Sequence, residues 1–158
     1  MTKFFAIVAG EPSSINSEII VKAWKKINNK KKFFIIGNYM LLKKQINKIG
    51  LKIKVVKITS TDEIKFQNKL NILNVDFKFK SLFDNQLIDT RRYVLKSLDI
   101  AHDLVSKKKI GGFINAPIDK KIFNNEFLGV TEYLANKNNV TNREVMMIYN
   151  KKLSVVPL

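Results

Sequence analysis

The stretch GGFINAPIDKKIFNNEFLGVTEYLA, Gly111 to Ala135, decides how this chain is read. A short apolar strand runs into Asn115-Ala116-Pro117, a polar turn and a short helix follow, and Gly129-Val130-Thr131-Glu132 opens another helix. In α/β proteins a strand end positions a ligand, and the helix start beside it offers free backbone N–H groups to anions. Pro117 suits an early helical position, Lys120 can reach an anion at the strand end, and Thr131 suits a helix cap whose hydroxyl and N–H groups could also serve phosphate.

Outward from this stretch, apolar runs of strand length alternate with segments of helical period. Strands are predicted at 4–9, 33–36, 53–58, 70–75, 77–79, 111–115, 145–149 and 153–156. Helices are predicted at 14–28, with Ile15, Ile19, Ala23 and Ile27 as the inner stripe, at 39–49 with Gly50 after its end, and at 131–137. A long helix is predicted at 89–107, with Asp89 as N-cap, Val94, Leu98, Ala101 and Val105 facing inward, and Lys107 to Lys109 at the negative end of its dipole. Such alternation implies an α/β fold, a largely parallel sheet covered by helices on both faces. No repeat, linker or internal boundary interrupts 1–158, which reads as a single α/β segment. The last run, Leu153-Ser154-Val155-Val156-Pro157-Leu158, is a strand without the helix that usually follows, so the sequence reads as interrupted.

Composition narrows the function classes. The net charge of +16 invites a nucleic-acid partner. Only Arg91, Arg92 and Arg143 among 29 basic residues are arginine, however, and arginine is the residue suited to bidentate phosphate contacts. The lysine clusters, including Lys25-Lys26, Lys30 to Lys32 and Lys43-Lys44, lie at ends or outer faces of predicted elements and read as solvated surface. No nucleic-acid partner is expected. No membrane partner is expected either, because the chain lacks an apolar run of spanning length and its first strand breaks at Gly10-Glu11-Pro12 too early for a signal peptide. The chain reads as cytoplasmic. Without cysteine, disulfides and thiolate chemistry are excluded.

The chemistry-bearing motifs are few. The six glycines form neither G-x-G-x-x-G nor a P-loop. The single histidine, His102, sits mid-helix, so a zinc site, which draws on several ligands, is not expected within this chain. What remains are the turn Gly10-Glu11-Pro12-Ser13-Ser14-Ile15-Asn16-Ser17-Glu18, the turn Asn115-Ala116-Pro117-Ile118-Asp119-Lys120, and Gly129-Val130-Thr131-Glu132. Each is also satisfied by a plain capped helix start.

Taken in order, these stretches resemble the 4-hydroxythreonine-4-phosphate dehydrogenase family of pyridoxal phosphate biosynthesis. Its G-[ED]-P-A-G-I-G-P-E turn is matched by Gly10 to Glu18, its [TS]-[AG]-P-[IV]-x-K by Asn115 to Lys120, its G-H-T-E-[FY]-L-A by Gly129 to Ala135, and its V-M-M strand by Val145-Met146-Met147. The resemblance implies an isocitrate/isopropylmalate dehydrogenase-like fold, of which this chain would be the truncated N-terminal half. It also implies NAD- or NADP-dependent oxidation and decarboxylation of a phosphorylated hydroxy acid, with a divalent metal as Lewis acid, in a homodimer. Carried over, Thr131 is a substrate contact, Val130 occupies the position of the family histidine, and Lys120 is a weaker substrate contact. Valine neither donates nor accepts a hydrogen bond, so one family contact is missing.

Asn115 replaces a small hydroxyl residue, and Ser14 and Asn16 replace two glycines of the first turn, where a positive φ would resist serine. The family's metal-binding histidines would lie beyond Leu158, so no metal ligand, no identified catalytic residue and little of the cofactor site are expected here. The leading expectation is therefore a dehydrogenase half that is inactive alone. Alternatives are a non-catalytic binding or scaffold protein derived from the fold, and a dehydrogenase for a related four-carbon phospho-acid sugar.

Overall fold

The computed structural model describes residues 4–27 and 31–157. Met1 to Lys3, the expected helix end at Asn28, Lys30 of the lysine cluster and Leu158 lie outside the described residues. Contacts divide the chain into two compact units, Met1–Ile122 and Phe123–Leu158.

The first unit runs β1 (Phe5–Val8), α1 (Asn16–Ile27), β2 (Phe33–Gly37), α2 (Tyr39–Lys48), β3 (Val55–Ile58), β4 (Leu70–Asn74), α3 (Leu87–Ser106) and β5 (Phe113–Asn115). The strands form one sheet in the order β3-β4-β2-β1-β5, with every neighbour parallel. The continuous apolar run of β2 explains its central place, because a parallel strand covered on both faces has no solvent side to alternate toward. All five of its residues are buried, with Ile35 registered on Ile7 of β1 and on Ile72 of β4.

On one face Ile20, Val21 and Trp24 of α1 and Leu42 and Ile46 of α2 close over Phe33, Ile35, Leu70 and Ile72. The long helix α3 buries Tyr93, Val94, Ser97, Leu98 and Ala101 and packs on β1, β2 and β5. Burying apolar surface at about 25 cal/mol per Å² makes these two layers the main source of stability in this unit.

Three local expectations change. Of the expected α1 stripe, Ile15 is 68% and Ile19 43% exposed, while Ala23 is half-buried and Ile27 packs against the core. The buried positions are Asn16, Ser17, Ile20, Val21 and Trp24. Both stripes are apolar enough to serve. The helix rotation follows from Asn16, whose side chain is held inward at the first turn and brings residues four and eight places later with it.

Residues 77–79 form no strand. Phe77 instead stacks on Tyr93 of α3 with ring centroids 4.7 Å apart, and Phe79 lies 6.3 Å from Phe77. A loop laid over a helix imitates the alternation of a strand. Finally, Asp89 does not cap α3. The helix begins at Leu87 after Gln86, which makes no side-chain cap bond, and Asp89 lies in the first turn, where its charge still suits the dipole.

The second unit holds α4 (Val130–Lys137) and a small antiparallel pair, β6 (Ile148–Tyr149) with β7 (Ser154–Val155). The strands expected at 145–149 and 153–156 thus shrink to two residues each. Tyr133 of α4 anchors this unit, edge-on to Phe127 at 5.4 Å and 5.9 Å from Phe123.

Candidate functional site

The two turns that leave β1 and β5 form one hydrogen-bonded assembly. Gly10 adopts φ +71, a left-handed conformation that glycine accepts without the Cβ clash other residues suffer. Space forbids a side chain there as well. A Cβ on Gly10 would lie 2.7 Å from the Pro117 carbonyl and 2.9 Å from that of Ala116. The backbones are this close because Asn16 holds them. Its buried Nδ2 donates to the carbonyls of Ala9 at 3.1 Å and Pro117 at 2.8 Å, with Glu11 O at 3.4 Å. The N–H of Glu11 also points to Pro117 O at 3.4 Å, and the Asp119 N–H donates to Glu11 Oε2 at 3.1 Å.

Further side chains brace the same turn from outside. Gln45 of α2, almost fully buried, donates to the carbonyls of Pro12 at 2.7 Å and Leu82 at 2.6 Å. Ser13 Oγ accepts the Asn85 N–H at 3.1 Å, and Ser14 Oγ donates to Glu11 O at 2.6 Å. Ser14 and Asn16 lie outside the positive-φ region, so neither is strained by standing where glycine was expected. A cavity of about 310 Å³ beside this turn is lined by Ser13, Ser14, Ile15, Ser17, Glu18 and Phe83. Its apolar walls and one carboxylate do not suit an anion.

The neighbouring strand end at β2 is organised around Asn38. Its Oδ1 caps α2 by accepting the Leu41 N–H at 2.9 Å, and its Nδ2 donates to Val75 O at 2.9 Å. Its own N–H donates to the Tyr93 hydroxyl at 3.0 Å. Burial of Tyr93 outweighs that bond and pushes the phenol up to about 12. Tyr93 is therefore a neutral hydrogen-bonding post.

Lys120 begins a short 3-10 helix, Lys120–Phe123, and is exposed. Pro117 precedes this helix by an irregular segment and is not a helical residue, because its carbonyl is committed to Asn16 and Glu11. In the second unit Val130 and Thr131 are the first two residues of α4, Val130 half-buried and Thr131 exposed. Thr131 does not cap the helix. The N-cap is Gly129, with no side-chain bond, and the first intrahelical bond runs from Tyr133 N to Gly129 O at 3.1 Å. The N–H groups of Val130, Thr131 and Glu132 precede that bond, and Thr131 is an exposed residue of that first turn.

Asn16 and Gln45 carry most of the construction and were not singled out as binding or bracing residues by motif. Asn16 did leave a signal, a polar residue at a glycine position, but its partner Pro117 lies 101 residues away.

The residues present do not fit the metal or the dinucleotide that the motif resemblance implies. Among the described residues no three His, Cys, Asp or Glu side chains converge on a possible ion position, and His102 lies in α3. The turn between β1 and α1, the place for a pyrophosphate cradle in dinucleotide-binding folds, is closed by the Asn16 amide and the Pro117 carbonyl.

Comparison with known proteins agrees with this architecture. The model of the family described as pyridoxal phosphate biosynthetic protein PdxA matches residues 29–158. A 4-hydroxythreonine-4-phosphate dehydrogenase of Hydrogenobaculum sp. is 27% identical over 157 residues, covering 98% of this chain and 49% of that protein. Its counterpart in Aquifex aeolicus is 29% identical over 165 residues, covering 100% and 49% respectively. In fold, the chain resembles the crystal structure of a 4-hydroxythreonine-4-phosphate dehydrogenase from Burkholderia phymatum, with TM-score 0.87 and 18% identity over 99% of this chain and 49% of that one. The corresponding structure from Klebsiella pneumoniae gives TM-score 0.85 and 20% identity, with 99% and 49% covered. The chain spans about half the length of the curated relatives it matches.

Proposed function

This chain belongs to the pyridoxal phosphate biosynthetic protein PdxA family, and from that membership we propose that it forms the N-terminal, substrate-side half of a cytoplasmic 4-hydroxythreonine-4-phosphate dehydrogenase. The observation that carries this reading is Thr131, an exposed residue in the first turn of α4, where three N–H groups precede the helix's first internal bond. Those donors suit an oxyanion of a phosphorylated hydroxy acid. Lys120 is a second, cationic contact on its own unit. Val130 presents an apolar surface at the family's histidine position and leaves one substrate oxygen to be met elsewhere. Nicotinamide cofactor and divalent metal belong to the half of the family's length that this chain does not span, and the chain does not catalyse alone.

The test adds the remaining half of the Hydrogenobaculum relative to this chain, with NAD or NADP, a divalent metal and 4-phosphohydroxy-threonine. Reduction of the nicotinamide only when both halves are present is the expected result. No turnover by the complemented pair, while the intact relative turns over alongside, defeats the proposal and favours a non-catalytic scaffold. Turnover of 4-phospho-erythronate in preference assigns the chain to a related phospho-acid sugar, the reading suggested by Val130.

A further inference from the structure

A cavity of about 300 Å³ lies between α3 and the loop that follows β4, a volume suited to a small ligand. Asp89, Arg92, Tyr93 and Lys96 line it from α3, at the i, i+3, i+4 and i+7 spacing of one helix face. Asp76, Phe77 and Lys78 line it from the loop. Phe77 stacks on buried Tyr93, so one wall is aromatic.

The charges beside this wall are of both signs and do not neutralise one another. No ion pair joins Lys78, Arg92 or Lys96 to Asp76 or Asp89 among the described residues. Asp89 and Arg92 are neighbours on a helix, where opposite charges ordinarily pair, as Lys22 does with Glu18 and Lys107 with Asp103. Asp76 accepts a hydrogen bond from Asn74 Nδ2 at 3.1 Å instead. Arginine occurs at only three positions in the chain, and Arg92 brings to this cavity the guanidinium suited to bidentate oxyanion contact. Lys78 and Asp89 also line a second cavity of about 290 Å³, whose other charges, Lys80 and Asp84, are again of opposite sign.

Charge selects the ligand. Three cations against two carboxylates leave the first cavity one positive charge in excess. A phosphate monoester carries about −1.5 to −2 charge at pH 7 and three acceptor oxygens, which answers three cations better than a carboxylate does. Inorganic phosphate would leave Asp76 and Asp89 facing a like charge, whereas an ammonium on the same molecule pairs with them. We propose that this cavity binds a small phosphorylated amine, its phosphate on Lys78, Arg92 and Lys96 and its ammonium on Asp76 and Asp89. Phe77 covers the carbon chain between the two groups. Thr131, Val130 and Lys120 line no part of this cavity, so the site stands apart from the functional reading above and is tested without turnover.

Isothermal titration of the chain with phosphoethanolamine, inorganic phosphate and ethanolamine, at one ionic strength, provides that test. Saturable one-to-one binding of phosphoethanolamine is expected, at least about tenfold tighter than either fragment. Arg92→Gln and Lys96→Gln are each expected to weaken it by about tenfold. A Lys25→Gln, Lys26→Gln double variant, which removes two charges at the exposed end of α1, is expected to leave it unchanged. Asp89→Asn separates a site for both charges from a basic patch. It is expected to weaken phosphoethanolamine and to strengthen inorganic phosphate, because it removes the partner of the ammonium and a charge that repels phosphate. Asp76→Asn gives the same reading if circular dichroism shows that Asp89→Asn does not fold. The proposal is overturned by a lack of saturable binding, by equal affinity for phosphoethanolamine and inorganic phosphate, or by a double lysine variant that loses as much affinity as Arg92→Gln. Folded Asp89→Asn and Asp76→Asn variants that bind phosphoethanolamine as tightly as the parent overturn it as well.

Discussion

The side-chain amide of Asn16 donates to the carbonyl of Pro117 at 2.8 Å, across 101 residues of sequence. This bond joins the turn after β1 to the turn after β5, the two loops at neighbouring strand ends of the parallel sheet. With Glu11 accepting the Asp119 N–H, it makes the segment before Lys120 a fixed structure.

Replacing Asn16 removes the only side-chain donor among the described residues that serves Ala9 and Pro117 together. Asn16→Ala takes the Nδ2 donor from the buried Ala9 carbonyl and the shorter of two bonds from the Pro117 carbonyl, and is expected to cost about 1–3 kcal/mol. Asn16→Asp is expected to cost more, since an ionised carboxylate is acceptor-only and faces carbonyl oxygens. Urea unfolding checks both, and a midpoint equal to that of the parent removes Asn16 as a brace.

Ser17 gives the opposite expectation. Its hydroxyl is buried and has no hydrogen-bond partner among the described residues, at the position where the related motif has proline. Ser17→Ala relieves that desolvated hydroxyl and improves helix propensity, so stability is expected to rise by up to about 1 kcal/mol. A loss of stability on this substitution reveals a partner for the hydroxyl.

Tyr93 sets an alkaline limit. Its phenol titrates near 10.0 in an unfolded chain and is pushed up to about 12 in the fold. Below the unfolded value both states are protonated and the full stability is present. Between the two values the unfolded chain releases a proton that the folded chain keeps, so stability falls as pH rises, by roughly 2–3 kcal/mol in total. Tyr93→Phe removes this slope and leaves the buried Asn38 N–H without its partner, at a cost of about 1–3 kcal/mol at neutral pH. Denaturation across the alkaline range compares the variant with the parent, whose lysines titrate in common. Parallel curves refute the assignment.

Thr131 and Val130 are tested in the complemented enzyme. On the proposed substrate role of Thr131, Thr131→Ala is expected to remove one hydroxyl hydrogen bond and lower kcat/KM by about tenfold. Val130→His restores a polar group at the family position and is expected to raise kcat/KM for 4-phosphohydroxy-threonine. Equal constants for the parent and Thr131→Ala take Thr131 out of the substrate site.

The parallel fold was legible from the alternation of apolar runs with helical segments, and Gly50 was recognised as the residue ending α2, where its φ is +72. Errors arose where two local patterns were equally apolar or where a loop borrowed a strand's alternation. Ile15 and Ile19 looked as buried as Ile20 and Trp24 until Asn16 set the rotation of α1. Phe77 and Phe79 looked like a strand until Phe77 was found against Tyr93.

By itself, the sequence determined the element types, the order of the motif turns and the family, because periodicity, turn chemistry and motif order are properties of neighbouring residues. Only the tertiary structure decided which polar side chains hold the site together. Asn16 needs Pro117, Gln45 needs Pro12 and Leu82, and Asn38 needs Tyr93 and Val75. Each partner is distant in the chain, and the parallel sheet brings the turns together by setting β5 beside β1, β1 beside β2 and β4 beside β2.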